Sequence, residues 1–142
     1  MKNEDRRGIL PWVRRDPLDL LVPTLLGEAV LCSPHAVFVS EENYGRILAA
    51  NEAACRLLGY ELEELLAGSA REWSAAEPDL VAHVYERLAH PPATVRSTAR
   101  LRHKDGTVIE IGYWASTTQV SGLDFLLTIT DPIDRAVVVE PT

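Results

Sequence analysis

The side chains able to do chemistry are two cysteines, four histidines and a scatter of carboxylates and arginines, and their spacing decides what they can do together. Cys32 and Cys55 are too few for a disulfide framework. Both fall in segments that read as helical and apolar, where a buried free thiol is the default. His83 and His90 share a helical face but stand seven residues apart, too far for a two-ligand grip, and no Cys/His cluster has structural zinc spacing. No metal site is assigned. Glu61, Glu63 and Glu64 crowd a helix start, where negative charge faces the positive end of the helix, and they read as solvated charge. There is no Gly-x-Ser-x-Gly elbow, no His-Glu-x-x-His pair and no phosphate loop. No catalytic residue is assigned, and the chain is not read as an enzyme. Arg96, Arg100 and Arg102 alternate with Val95, Ala99 and Leu101, which makes a basic strip opposite an apolar face. That strip reads as a solvated edge that discourages strand pairing, with contact to an acidic partner as the other reading.

The elements that must position these groups have enough apolar material to fold. Hydrophobic residues make up 46% of 142, enough for one domain with some excess at the ends. A formal net charge of −7 argues against nonspecific nucleic-acid binding, which needs a basic surface to displace counterions. Met1 to Arg7 is charged with no apolar run behind it, and no run approaches the roughly 20 apolar residues of a membrane span. The expectation is a cytoplasmic protein with no membrane contact.

Residues 1–15 are polar and basic around Trp12 and read as a flexible arm. Residues 16–32 read as an amphipathic helix, started by Asp16-Pro17, with Leu18, Leu21, Leu25 and Leu26 on its stripe. Pro23 interrupts that pattern, so a second helical piece is expected to begin there. His35 to Ser40 and Arg46 to Ala50 read as strands. Asn51 is an N-cap, Ala54, Leu57 and Leu58 share the face of the helix it starts, and Gly59 stops it. Arg71 to Trp73 reads as a helical turn, and Leu80 to Ala89 as a longer helix begun at Pro78 and ended by Pro91-Pro92. Thr94 to Arg102 alternates as a half-exposed strand, Asp105-Gly106 marks a hairpin, and Thr107 to Thr118 returns. Ser121-Gly122 turns again, and Asp124 to Thr130 is a last strand with Phe125, Leu127 and Ile129 on one face. Pattern alone therefore reaches α+β with three C-terminal antiparallel strands.

The order of these signals resembles a PAS domain, the small sensory module of bacterial signalling. The matching residues are Gly45-Arg46-Ile47, Asn51-Glu52-Ala53-Ala54, Leu57-Leu58-Gly59-Tyr60, Glu63-Glu64-Leu65-Leu66-Ala67-Gly68, Arg102, Lys104-Asp105-Gly106 and Gly122. Thr130-Asp131-Pro132-Ile133 departs from the family's Asp-Ile-Thr ending. The resemblance covers residues 33–133 and leaves 134–142 as a C-terminal tail. It implies a five-stranded antiparallel sheet in the order 2-1-5-4-3, with short helices over one face and the N-terminal helix outside it. Asn51, Gly59, Asp105 and Gly106 are then structural signature residues.

The resemblance further implies a pocket between sheet and helices, with Trp73, Leu80, His83, Val84, Leu101, Ile111, Tyr113 and Leu127 as candidate lining. No cofactor is assigned. A photoactive flavin would need a reactive cysteine after the Gly-Tyr helix pair, whereas Cys55 precedes Gly59-Tyr60. Haem on His83, after Glu77-Pro78, stands as a lesser alternative, because Pro91-Pro92 leaves a short connection to the next strand. The function implied is a sensory or protein-interaction domain that binds a small ligand or a partner and relays it. Homodimerisation through the N-terminal helix and a signalling partner in trans are the expected contacts. A ligand-free structural dimerisation module is the alternative.

Overall fold

The computed structural model describes residues 22–41, 45–75 and 94–139. The chain divides into two units, Met1–Leu31 and Cys32–Thr142. In the first, helix α1 spans Val22–Leu31. Pro23 lies in its first turn, where a missing N–H forfeits no helical bond, as expected for the helical piece placed there. Leu25, Leu26, Val30 and Leu31 are exposed. The expected arm 1–15, Leu18 and Leu21 lie outside the described residues.

The second unit runs β1 (His35–Glu41), β2 (Ile47–Ala50), α2 (Glu52–Leu58), α3 (Leu62–Leu66), α4 (Ala70–Trp73), β3 (Thr94–Arg102), β4 (Val108–Val120) and β5 (Leu123–Pro132). A 3₁₀ turn (Ile133–Arg135) and a short strand β6 (Val137–Val139) follow. The expected helix Leu80 to Ala89 lies outside the described residues. The strands form one antiparallel sheet in the order β2-β1-β5-β4-β3, with β6 paired to β4. The expected order is present. The addition is β6, which falls in the segment read as a tail. Pro132 has no N–H to continue the ladder, so β5 leaves β4 after Tyr113↔Thr130. The chain turns once through the 3₁₀ residues and rejoins β4 at Glu110↔Val137, where three β-branched valines suit an extended backbone.

Strand alternation sorts the sheet into two faces. Ile109, Ile111, Tyr113 and Ala115 on β4 are buried, and they pair with Leu101, Ala99, Ser97 and Val95 on β3. On this inner face Ala36, Phe38, Ile109 and Ile111 join Ala53, Ala54, Leu57, Leu58, Leu65 and Trp73 of the helices in one core cluster. Val95, Tyr113, Ala115 and Leu126 make a second cluster. At the β4–β5 turn Ser121 (φ 53°) and Gly122 (φ 79°) are both left-handed, the conformation that matches a two-residue turn to the twist of its strands.

Short helices need their ends tied, because few of their backbone groups pair internally. The Asn51 side-chain oxygen accepts from Ala54 N–H at 3.0 Å and from Val37 N–H at 3.0 Å, and its side-chain amide donates to the His35 carbonyl at 2.9 Å. One buried side chain therefore starts α2 and fastens it to β1. Glu64 accepts from the Glu61 N–H at 2.9 Å and Glu72 from the Ser69 N–H at 2.7 Å, closing the starts of α3 and α4. The chain from Gly68 to Ala75 then crosses the inner face. It accepts from Ile47 N–H at one sheet edge and donates from Ala75 N–H to Arg100 at the other. Trp73, within this crossing, is buried.

Candidate functional site

The inner face is where a small molecule would meet this sheet. Register places Ser40, Leu126 and Thr117 in one row, Phe38, Thr128, Ala115 and Val95 in the next, and Thr130, Tyr113 and Ser97 beyond them. The row residues are small, apolar or hydroxyl-bearing. Ser40 and Thr130 are buried, and the buried Thr117 Oγ1 has no hydrogen-bond partner. Thr130 Oγ1 is committed elsewhere: it accepts from Ala36 N–H at 2.9 Å and donates to the Asp131 carbonyl at 2.7 Å. Such a surface can orient a bound molecule through hydroxyls and exclude water. It offers no activated nucleophile.

Of the expected pocket residues, Trp73 and Ile111 meet in the helix-covered cluster with Leu101 against it, and Tyr113 lies in the adjoining cluster. Trp73 is tilted against Tyr60 at 5.9 Å between ring centroids. Leu127 is not with them. It pairs with Val39 and Ser116, which puts it on the opposite face, because the β5 residues that point inward are the even-numbered Leu126, Thr128 and Thr130. Leu80, His83 and Val84 lie outside the described residues, as does the haem reading built on His83. Sequence alone does not single out Thr117 and Ser40, since a hydroxyl in a strand carries no signal of which face is buried.

The outer face is apolar along β1 and β5 and at Trp114, where a solvated sheet would be polar. Val37, Ile129 and Trp114 form one row with Arg96 at its end, and Val39, Leu127 and Ser116 form the next. Trp114 is 51% exposed and Ile129 43%. The arginine strip is on this face as expected, but two of its three guanidiniums are matched within the molecule. Arg96 makes a two-pronged ion pair with Asp131, both bonds 2.9 Å, and lies 5.2 Å over the Trp114 ring. Arg100 donates to Glu110 at 3.0 Å. Arg102 is exposed. The strip is thus a set of cross-strand pairs, and its pull on an acidic partner is reduced accordingly. The Arg96 side-chain bond and charge hold the Asp131 carboxyl below its ordinary range.

The signature residues act as structure. Asp105 accepts from the Thr107 N–H at 2.9 Å and Oγ1 at 2.7 Å and so shapes the β3–β4 turn, where Gly106 has φ 97°. That turn docks on the end of α2. Lys104 N–H donates to the Leu58 carbonyl at 2.9 Å, and Lys104 Nζ bonds Glu64 while lying 5.5 Å over the Tyr60 ring. Gly59, at φ 79°, has the His103 ring where a Cβ would be. The cysteines differ from expectation in part. Cys32 falls just beyond α1, outside both core clusters, and is exposed, whereas Cys55 is half-buried on α2. Burial first, then Glu61 and Glu52, pushes the Cys55 thiol up, away from the reactive thiolate. Among the described residues no group of three or more His, Cys, Asp and Glu could hold a metal ion, and no helix is long and apolar enough to cross a membrane.

A helix-capped antiparallel sheet in this strand order defines a small α+β module. The family model described as the PAS domain matches residues 28–90. The fold agrees with solved PAS domains. One, from a two-component sensor histidine kinase, is 18% identical with TM-score 0.67 and covers 79% of this chain and 96% of that one. The PAS domain of an HTR-like protein from Haloarcula marismortui is 19% identical with TM-score 0.68, covering 79% and 92%. An RNA-binding light-oxygen-voltage receptor is 19% identical with TM-score 0.71, covering 87% of this chain and 37% of its own. No curated protein matches the chain. The chain has the PAS fold.

Proposed function

We propose that this chain is a sensory and protein-interaction domain of cytoplasmic signal transduction, which binds a small ligand or a partner and relays the event through contacts with a second copy or with that partner. The observation that carries this reading is the outward run Phe125, Leu127 and Ile129 of β5, flanked by Val37, Val39 and Trp114. An antiparallel sheet covered by helices on one side ordinarily turns polar residues outward. Here β5, β1 at Val37 and Val39, and β4 at Trp114 turn apolar side chains outward, which suits a sheet that is itself a contact surface. The inner hydroxyls of Ser40 and Thr117 and the small Ala115 support a ligand on the helix side. The exposed Leu25 and Leu26 of α1 support pairing of two copies through the N-terminal helix. The solved PAS domain that comes from a sensor histidine kinase is in keeping with a signalling role.

Native mass spectrometry of the purified protein tests the reading. A stoichiometric small molecule on the folded chain supports the sensor. A ligand-free dimer supports the alternative, a structural dimerisation module with a filled core. A ligand-free monomer at all concentrations, with no partner recovered from the host, removes both.

A further inference from the structure

We propose that Arg96, Gly112 and Asp131 form a clamp across β3, β4 and β5 that holds the following strap, Ile133–Val139, on β4, so that a shift of β3 against β5 frees β6 before the rest of the sheet opens. Asp131 is one residue past the last β5–β4 pair, Tyr113↔Thr130, and one before Pro132, where the ladder breaks. Across this gap only Ile111 and Gly112 of β4 stand opposite six residues, 131–136, before pairing resumes at Glu110↔Val137. Arg96 pairs in register with Trp114, so its guanidinium reaches diagonally over β4 to Asp131. It passes above Gly112, where an added Cβ would collide with both the Arg96 guanidinium and the Asp131 carboxylate. A glycine in the middle of a long strand commonly marks such a close approach.

The strap itself is weakly held. β6 has three residue pairs, and Val137 and Val138 are 59% and 67% exposed. A strand that short is marginal without further support. Its other tethers are the Ile133 N–H bond to the Pro34 carbonyl at 2.9 Å and the packing of Ile133 and Ala136 on the core. Those hold the 3₁₀ turn, whereas the clamp fixes the point where β5 departs. The same clamp ties that point to β3, whose inward Val95 and Ser97 line the inner face. Its use as a relay rests on the sensory reading above. Its existence does not.

Hydrogen–deuterium exchange of the full chain tests the clamp. Arg96→Ala, Asp131→Asn and Gly112→Ala are each expected to speed exchange over 133–139 by about threefold or more, since a single exposed pair shifts local opening modestly. Exchange in β1 and α2 is expected to stay unchanged. Lys104→Ala, which breaks an ion pair on another part of the surface, is expected to leave the strap alone. Unchanged exchange at 133–139 in all three clamp variants overturns the proposal. So does an equal rise across the whole sheet, which would reduce the pair to ordinary sheet stability. Because Asp131→Asn leaves Arg96 over Trp114, an effect confined to Arg96→Ala assigns the result to ring packing and overturns the clamp as well. None of these readouts involves a ligand, so their failure is distinct from failure of the sensory reading.

Discussion

Asn51 joins three backbone groups from two elements through one buried amide, and so removing it leaves more than an uncapped helix. Asn51→Ala is expected to cost about 2–4 kcal/mol in urea denaturation, the loss of a cap plus buried donors and acceptors without partners. Its capping role was legible in the sequence from the residue type and the helix pattern behind it. Its bonds to β1 were not, because His35 and Val37 meet it only when strand and helix pack. Asp131 gives a pH test. Its folded pKa is depressed by the bond and charge of Arg96, with smaller help from Arg135 and His35. A depressed carboxylate contributes stability above its unfolded value, about 3.9, and loses it as pH falls through the lower folded value. The pair is therefore expected to persist from neutral pH down to about pH 4 and to be lost below it. A carbon-detected NMR titration should give Asp131 a lower midpoint in the wild type than in Arg96→Ala. The cysteines supply a third test. Exposed Cys32 is expected to react with a thiol reagent at pH 8 about tenfold or more faster than Cys55, whose thiol burial has pushed up. Equal rates would contradict the half-buried placement of Cys55.

At the scale of elements, the junction of α2 with the β3–β4 turn depends on Gly59. Any other residue there must adopt a left-handed backbone and displace the His103 ring. Gly59→Ala is expected to lower stability by at least about 1 kcal/mol from the backbone alone. Pairing it with His103→Ala should recover the collision part and leave the backbone part, measured as a non-additive double-mutant cycle in thermal melts. The glycine's role as a helix stop could be read from its place after Leu57-Leu58. The histidine could not, being 44 residues further on. β5 shows a subtler limit. Its alternation was legible, with Phe125, Leu127 and Ile129 together on one face. Which face lies under the helices depends on registration with β4, and Tyr113↔Thr130 turns the even residues inward. Without that register Leu127 falls on the pocket side. β6 is not legible in the sequence, because three valines between an Arg-Ala pair and a Glu-Pro carry no turn signal that names a partner strand.

For the whole molecule, helix α1 and the sheet unit each expose apolar side chains that single solvated domains rarely gather. If the N-terminal helix pairs two copies, the double variant Leu25→Glu, Leu26→Glu should sediment as a monomer while the melting of the sheet domain is unchanged. A dimer that survives this variant would move the contact elsewhere.

The sequence by itself determined the module. Asn51, Leu57-Leu58-Gly59, the Val95–Leu101 alternation and Asp105-Gly106 act on neighbours within a few residues, through caps, turns and strand periodicity, so their types and spacing suffice. Only the tertiary structure decided which face of β5 is inner, that Arg96 and Arg100 are neutralised by Asp131 and Glu110, and that the run after Pro132 returns to β4. Those facts join residues 10 to 35 positions apart on different strands, and strand pairing, unlike capping, has no local code that fixes register.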